Sequence, residues 1–254
     1  IYIILILLFI SGSNHAYLAN FFYGISISIF YIIYWITYFK KSPIRNIGFS
    51  IRKTIFSFKE NFVFFTSSAF AHFSLNSALI LLSLFASDKE LGRFTLAYKI
   101  VFILRMVPVF FVQSVLQQAS KSFISSKEEY KVYTNRYFKF GLLITFLISI
   151  LSCFFSDLII YIFAHEKINY SSNILSLMSF IPFLAMLNFK NLVFILVNDL
   201  KSILNTATFW TLIFMISSSL ILCKINGGIG LAYALLATEI FSFIIHYFLI
   251  KKND

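Results

Sequence analysis

The stretch Arg93–Phe123, RFTLAYKIVFILRMVPVFFVQSVLQQASKSF, decides the fold that this sequence predicts. An α-helix rises about 1.5 Å per residue, so roughly 20 apolar residues cross the hydrocarbon core of a bilayer. The stretch therefore predicts a membrane-spanning helix. It nevertheless carries two cations, Lys99 and Arg105, and Pro108 stands near its middle.

The two cations differ in depth. Lys99 lies near the predicted outer boundary, where its flexible stem can carry the ammonium back to the interface. Arg105 lies deeper, and a cation near the midplane costs about 2.5 to 3.5 kcal/mol on insertion scales. Such residues usually face a protein interior or a water-filled cavity. Arg105 therefore either lines a cavity for an anion or pairs with a carboxylate that holds helices together.

One carboxylate suits that pairing. Glu239 lies near the centre of the last apolar segment, GIGLAYALLATEIFSFIIHYFLI. Burial disfavours a charged carboxylate unless a cation lies beside it. Glu239 is therefore interpreted either as a site of proton or cation coupling or as the structural partner of Arg105.

Further polar residues share these apolar segments. At about 100° per residue, Thr95, Lys99, Gln113 and Gln117 fall within about 40° of one another, with Arg105 about 80° away. Asn76 adds a polar position to the preceding segment. Polar side chains on several predicted spans indicate a hydrated interior, and Lys99, Arg105, Gln113, Gln117 and Asn76 are its candidate substrate-binding residues.

Composition places the chain among polytopic membrane proteins. Its 254 residues are 59% hydrophobic and 12% charged, outside the range of soluble domains. The apolar runs predict an all-α bundle of about eight spans, at 1–10, 16–39, 62–86, 93–123, 140–163, 174–196, 203–223 and 229–250. The first run is short, and we interpret it as the end of a helix cut by the start of this sequence.

The basic residues predict the orientation. Fourteen of the 21 Lys and Arg residues lie in one alternating set of links and four in the other. Cytoplasmic links carry the excess of positive charge, so this pattern predicts a cytoplasmic C-terminus. It also accounts for the net charge of +11 without a nucleic-acid partner, because the basic residues form no single patch.

Motifs of soluble catalysis are missing from the sequence. It contains no HExxH or paired-cysteine metal spacing, no GxSxG elbow and no GxxxxGK[ST] phosphate loop. Cys153 and Cys223 lie in apolar segments, as small core residues do. The sequence therefore predicts a protein that is not an enzyme, with no catalytic residues, no metal site and no cofactor.

Three segments carry a resemblance to a known family. They are LGRFTLAYKIVFILRMVPVFF at 91–111, FSDLIIYIFAHEKINYSSNILSLMSFIPFL at 155–184 and GGIGLAYALLATEI at 227–240. In order and spacing they resemble Wzx-type polysaccharide flippases, which belong with the MATE and MurJ-like lipid flippases of the MOP superfamily. Ser77 and Ala164 stand where the family pattern has an acidic residue and a glycine.

The resemblance implies a MATE-like architecture of two helix bundles. Residues 1–39 would be the last two helices of the N-terminal bundle, 40–61 a basic cytoplasmic connector and 62–254 a C-terminal six-helix bundle. The implied activity is the flipping of undecaprenyl-diphosphate-linked oligosaccharide repeat units across the bacterial inner membrane for O-antigen or capsule synthesis. Besides this substrate and bilayer lipids, it implies O-antigen or capsule assembly proteins as partners.

Two other classes remain as alternatives. A MATE-like multidrug or cation antiporter exports cations and is expected to have a carboxylate-rich cavity. A membrane enzyme of glycan assembly usually needs carboxylates in large outer loops. The sequence has two candidate cations against two candidate acids and short outer links, which favours the flippase.

Overall fold

The computed structural model describes Leu5, Phe9 and residues 17–41 and 50–253, and every regular element of the two longer ranges is an α-helix. The helices are α1 (Tyr17–Lys41), α2 (Ile51–Ser83), α3 (Asp88–Ser125), α4 (Lys127–Phe154), α5 (Ser156–Ala164), α6 (Asn169–Met178), α7 (Ile181–Leu187), α8 (Phe189–Val197) and α9 (Lys201–Asn253).

Six helical segments of the described residues are long and apolar enough to cross a membrane: Phe21–Lys40, Asn61–Ser83, Asp88–Ser125, Lys127–Phe154, Asn169–Val197 and Lys201–Lys252. The last contains 52 residues, enough for two crossings. Non-helical backbone at Asn226 and Gly227 divides it between the predicted spans 203–223 and 229–250. The predicted polytopic all-α bundle is confirmed. The predicted span 1–10 and most of the link after residue 41 lie outside the described residues.

Two predicted spans are built from shorter helices. The run 140–163 is divided at Phe155, where α4 ends and α5 begins. The run 174–196 comprises α6, α7 and α8. Pro182 lies in the first turn of α7, where its missing N–H leaves no helical hydrogen bond unmade. Apolar length predicts a crossing, but it does not predict interruptions within it.

The chain divides into two compact units, 1–55 and 56–254. The first unit contains α1. In the second unit α3 packs against α4, α6, α7 and α8, and α9 packs against α6, α7 and α8. The predicted boundary at residues 61 and 62 falls within α2, which continues without a break from Ile51 to Ser83.

The second unit buries several polar side chains within its apolar core and exposes many large apolar side chains. Ile124 and Phe154 are 86% and 82% exposed, whereas Thr145, Ser149 and Ser171 are fully buried. Thr145 donates its hydroxyl hydrogen to Gly141 O at 2.8 Å within its own helix. A surface rich in large apolar side chains suits a bundle surrounded by lipid.

Candidate binding site around Arg105

Helix α3 positions the site. It begins at the N-cap Ser87, whose side chain accepts a hydrogen bond from the Glu90 N–H. Buried apolar residues fix it at two levels, including Phe94 towards its start and Val115 towards its end. Arg105 lies between these two core clusters. The apolar clusters on either side therefore set the depth of the guanidinium in the bundle.

Arg105 forms an ion pair with Glu239. Its Nε lies 2.7 Å from Glu239 Oε1, and 27% of the Arg105 side chain and 12% of the Glu239 side chain are exposed. The sequence left open whether these residues meet, and the structure brings them together. A cation and a carboxylate at this distance each reduce the cost of taking the other out of water.

The ion pair uses only part of the guanidinium. Arginine has five N–H donors, and Arg105 donates one of them, from Nε, to Glu239. Among the residues that the structure describes, neither terminal nitrogen of Arg105 has a hydrogen-bond acceptor. The two terminal nitrogens can therefore donate two parallel hydrogen bonds to a second anion, because guanidinium binds carboxylate and phosphate in a bidentate way.

Two cavities flank the ion pair. The larger, of about 190 Å³, lies among α2, α3, α7, α8 and α9. The smaller, of about 50 Å³, is lined by Tyr98 and Thr238 among others. Arg105 and Glu239 line both cavities. The larger cavity has room for a phosphate-sized group beside the guanidinium.

Helix α3 is weakened beside Arg105. Pro108 is buried and lines the larger cavity. Because proline lacks an N–H, the Leu104 carbonyl has no helical donor at position 108. The site therefore combines an ion pair with a point where the α3 hydrogen-bond pattern is interrupted.

A polar cluster lines the larger cavity near the end of α9. The Nδ1 atom of His246 lies 2.7 Å from Ser242 O and 3.2 Å from Asn188 Nδ2. The Nε2 atom of His246 is buried and has no hydrogen-bond partner among the described residues. Sequence reasoning assigned no role to Ser242 or His246. The signal was present, since Glu239, Ser242 and His246 have the i, i+3, i+7 spacing of one helix face.

The other predicted binding residues lie away from these cavities. Lys99, Gln113, Gln117 and Asn76 are exposed on the second unit, and none of them lines either cavity. Asn76 donates from Nδ2 to His72 O at 2.8 Å within its own helix. The structure thus separates Arg105 from the polar stripe on its helix, which agrees with their different helical angles.

A second polar contact fixes the opposite end of the bundle. Glu90 Oε1 accepts a hydrogen bond from the Tyr170 hydroxyl at 2.7 Å and another from the Gly228 N–H at 2.9 Å. Gly227 precedes this contact with a φ of +53°, which glycine adopts without strain. Glu90 thereby joins α3, α6 and the break in α9, an arrangement that no sequence motif predicted.

The described residues thus form a polytopic helical membrane protein with an ion pair between cavities inside its second unit. Residues 1–117 match the model of a family described as polysaccharide biosynthesis protein. This range is less than half of the chain. It contains Asn76, Lys99 and Arg105 but not Glu239. No curated protein and no solved structure matches the chain. The chain is therefore similar, over its first 117 residues, to proteins of polysaccharide biosynthesis.

Proposed function

We propose that the chain is part of a transporter that flips undecaprenyl-diphosphate-linked oligosaccharide repeat units across the bacterial inner membrane. The observation that carries the proposal is Arg105, held by Glu239 at one nitrogen and open at the other two, beside a phosphate-sized cavity within a membrane bundle. The family match supports it, because its description is polysaccharide biosynthesis. The transported repeat units would be used for the synthesis of O-antigen or capsule.

In the proposed mechanism Arg105 binds the diphosphate. Two phosphate oxygens would accept from the terminal nitrogens of Arg105, in the fork geometry that guanidinium offers. Glu239 competes with the substrate for the same cation. Protonation of Glu239 would remove this competition, so proton or cation binding at Glu239 would be coupled to substrate binding.

The proposed route for the sugars lies outside the two cavities, along the predicted binding residues that line neither of them. Lys99, Gln113, Gln117 and Asn76 are exposed polar residues on the second unit. Hydroxyl-rich sugars need such hydrogen-bonding side chains once they leave water. The diphosphate would therefore be bound at Arg105, while the sugars pass along this exposed polar face.

The proposed architecture has residues 62–254 as one bundle and 1–39 as part of another, joined by a connector at 40–61. Alternating access would arise from rocking of the two bundles around the cationic site. The C-terminus would face the cytoplasm. The membrane potential would favour outward movement of the anionic substrate by about 2.3 kcal/mol per charge per 100 mV.

The membrane helices and the family match fit a transporter better than an enzyme. A MATE-like antiporter is the second candidate, because Glu239 could bind a cationic drug if Arg105 released it. Glutamine at position 239 would abolish drug export by such an antiporter. In the flippase Glu239→Gln would leave Arg105 free to bind the diphosphate, so it would alter the coupling of export rather than abolish it.

Complementation of a flippase-null strain tests the proposal. The full-length gene is expressed as wild type, Arg105→Ala, Arg105→Lys and the matched control Arg136→Ala, which removes an exposed guanidinium outside both cavities. We expect the wild type and the Arg136→Ala control to restore surface glycan. Arg105→Lys should restore little surface glycan, and Arg105→Ala should restore none. Full glycan export by Arg105→Ala at equal expression would overturn the role of Arg105.

A further inference from the structure

A basic pocket lies apart from the Arg105 cavities. It has a volume of about 470 Å³ and contains Lys131 of α4, Lys190 of α8 and Lys251 of α9. Its other lining residues are Tyr130, Thr134, Asn135, Asn191, Phe194, Tyr247 and Ile250. It shares no lining residue with the cavities around Arg105. Three lysines about 60 positions apart in the chain thus line one pocket.

The positive charge of this pocket is uncompensated. No carboxylate lines it, and none of its three lysines forms an ion pair with a residue that the structure describes. Lys131 and the nearby Lys139 act on Lys190 as like charges. The Nζ of Lys190 lies 4.6 Å from the centre of the Phe138 ring, a cation–π contact that leaves the positive charge of the pocket unchanged. An anion bound in the pocket would reduce the repulsion between Lys131 and Lys190.

The lining defines the chemistry of that anion. Hydroxyl and amide groups of Tyr130, Tyr247 and Asn135 can contact further acceptor oxygens, which phosphate supplies. Phe194 and Ile250 add an apolar side to the pocket. A headgroup joined to a hydrocarbon chain needs this combination, and basic pockets between membrane helices bind phosphate-bearing lipids. A volume of about 470 Å³ lies within the range of about 300 to 1,000 Å³ typical of small-molecule pockets.

We propose that the pocket of Lys131, Lys190 and Lys251 binds the phosphate headgroup of a lipid. Hydrogen bonding connects this basic pocket to the larger cavity beside Arg105. Asn191 lines the basic pocket and donates from Nδ2 to Asn188 Oδ1 at 3.1 Å, and Asn188 lines the larger cavity. A headgroup bound against Asn191 would lie one hydrogen bond from the cluster of Asn188 and His246. The inference does not depend on the proposed transport function.

Two lipids offer the same chemistry, an anionic phospholipid and the polyprenyl phosphate that carries glycans. The test measures binding of each to the purified full chain in detergent by native mass spectrometry, with phosphatidylglycerol in one arm and undecaprenyl phosphate in the other. Inorganic pyrophosphate forms a third arm without a hydrocarbon chain, and phosphatidylcholine, which carries no net charge, a fourth.

The pocket variant combines Lys131→Gln, Lys190→Gln and Lys251→Gln. The control combines Lys121→Gln, Lys127→Gln and Lys252→Gln, which removes the same charge from exposed positions outside the pocket. Each substituted lysine is exposed, so both variants should fold, and circular dichroism checks this.

We expect wild type and control to bind phosphatidylglycerol, undecaprenyl phosphate or both, and the pocket variant to bind them roughly tenfold to a hundredfold more weakly. If wild type and control bind one of the two lipids more tightly than the pocket variant does, the site is supported and that lipid is identified as its ligand. Equal binding by all three proteins overturns the proposal, as does a preference for pyrophosphate over both lipids. Glycan export by the Arg105 variants is measured separately, so failure here leaves the flippase proposal standing.

Discussion

Arg105 Nε lies 2.7 Å from Glu239 Oε1, although 134 positions separate the two residues in the chain. Within residues 17–41 and 50–253 this is the only ion pair between different helices, because the other, between Asp199 and Lys201, is local. Burying one of these charges without the other is costly. The pair therefore has a structural role in addition to the binding role proposed for Arg105, and the two roles can be separated.

Exchanging the charges of Arg105 and Glu239 separates the structural role of the pair from the binding role of Arg105. Glu239→Ala leaves Arg105 without a partner and should lower the free energy of unfolding by about 2 to 4 kcal/mol, somewhat less than for a fully buried pair. The double variant Arg105→Glu with Glu239→Arg restores the attraction and should recover much of that stability. We expect glycan export to remain lost, because the guanidinium then projects from α9. Thermal unfolding in detergent and complementation measure the two effects.

The single variant Arg105→Glu is the control, since it places two carboxylates together and should be less stable than the double variant. If the double variant restored glycan export together with stability, Arg105 would be a structural residue only. If it restored neither property while expressing normally, the attraction between the two side chains would not stabilise the bundle.

Gly228 should not tolerate a side chain. A Cβ there would overlap the Tyr170 hydroxyl and would lie 2.9 Å from a Phe94 ring carbon. We expect Gly228→Ala to lower the free energy of unfolding by about 1 to 3 kcal/mol through overpacking and loss of the Glu90 contact. Thermal unfolding of the purified protein measures this.

Gly92→Ala is the matched control, because Gly92 lies in α3 and a Cβ there meets nothing within 4 Å. Alanine in an exposed helical position should raise stability by up to about 1 kcal/mol. Equal effects of the two substitutions would contradict the close packing of α3, α6 and α9 around Gly228.

Asn205 should hold α2 against α9. Its Oδ1 accepts from Thr66 Oγ1 at 2.8 Å and from Ser67 Oγ at 3.3 Å. Asn205→Ala should cost about 1 kcal/mol, since hydrogen bonds between membrane helices average about 0.6 kcal/mol each. Asn61→Ala is the control, because Asn61 donates only to Ser57 O of its own helix. A smaller loss from Asn205→Ala than from Asn61→Ala in thermal unfolding would contradict this contact.

The proposed orientation, with the C-terminus in the cytoplasm, predicts the labelling of introduced cysteines. In a chain with Cys153 and Cys223 replaced by Ser, Lys167→Cys should react with a membrane-impermeant maleimide on intact cells, and Lys252→Cys should react only after permeabilisation. Both positions are exposed. The expectation follows from the excess of basic residues in the links that share the side of Lys252. The reverse pattern would place the C-terminus outside the cytoplasm.

The helical crossings were predictable from sequence because membrane insertion depends on local composition. Each apolar residue contributes its own transfer free energy, and about 20 in succession suffice to span a bilayer. The same local reasoning placed Arg105 deep within α3. It did not place the helix breaks at Phe155 and Asn188, because these depend on packing against other helices rather than on apolar length.

Only the tertiary structure shows which residue pairs with Arg105. Helical angles separate Arg105 from Lys99, Gln113 and Gln117, yet only the packed bundle shows that these three lie outside the cavities. The roles of Ser242 and His246 in lining the larger cavity also depend on how α9 is rotated against α8.

The sequence by itself determined an all-α membrane protein and placed a cation, Arg105, within one of its predicted spans, because hydrophobicity and charge are properties of each segment. Only the tertiary structure decided that Glu239 neutralises Arg105 and that three distant lysines share a pocket. These contacts between helices depend on the depth and rotation of whole helices. Packing fixes both quantities, and the periodicity of a single segment does not encode them.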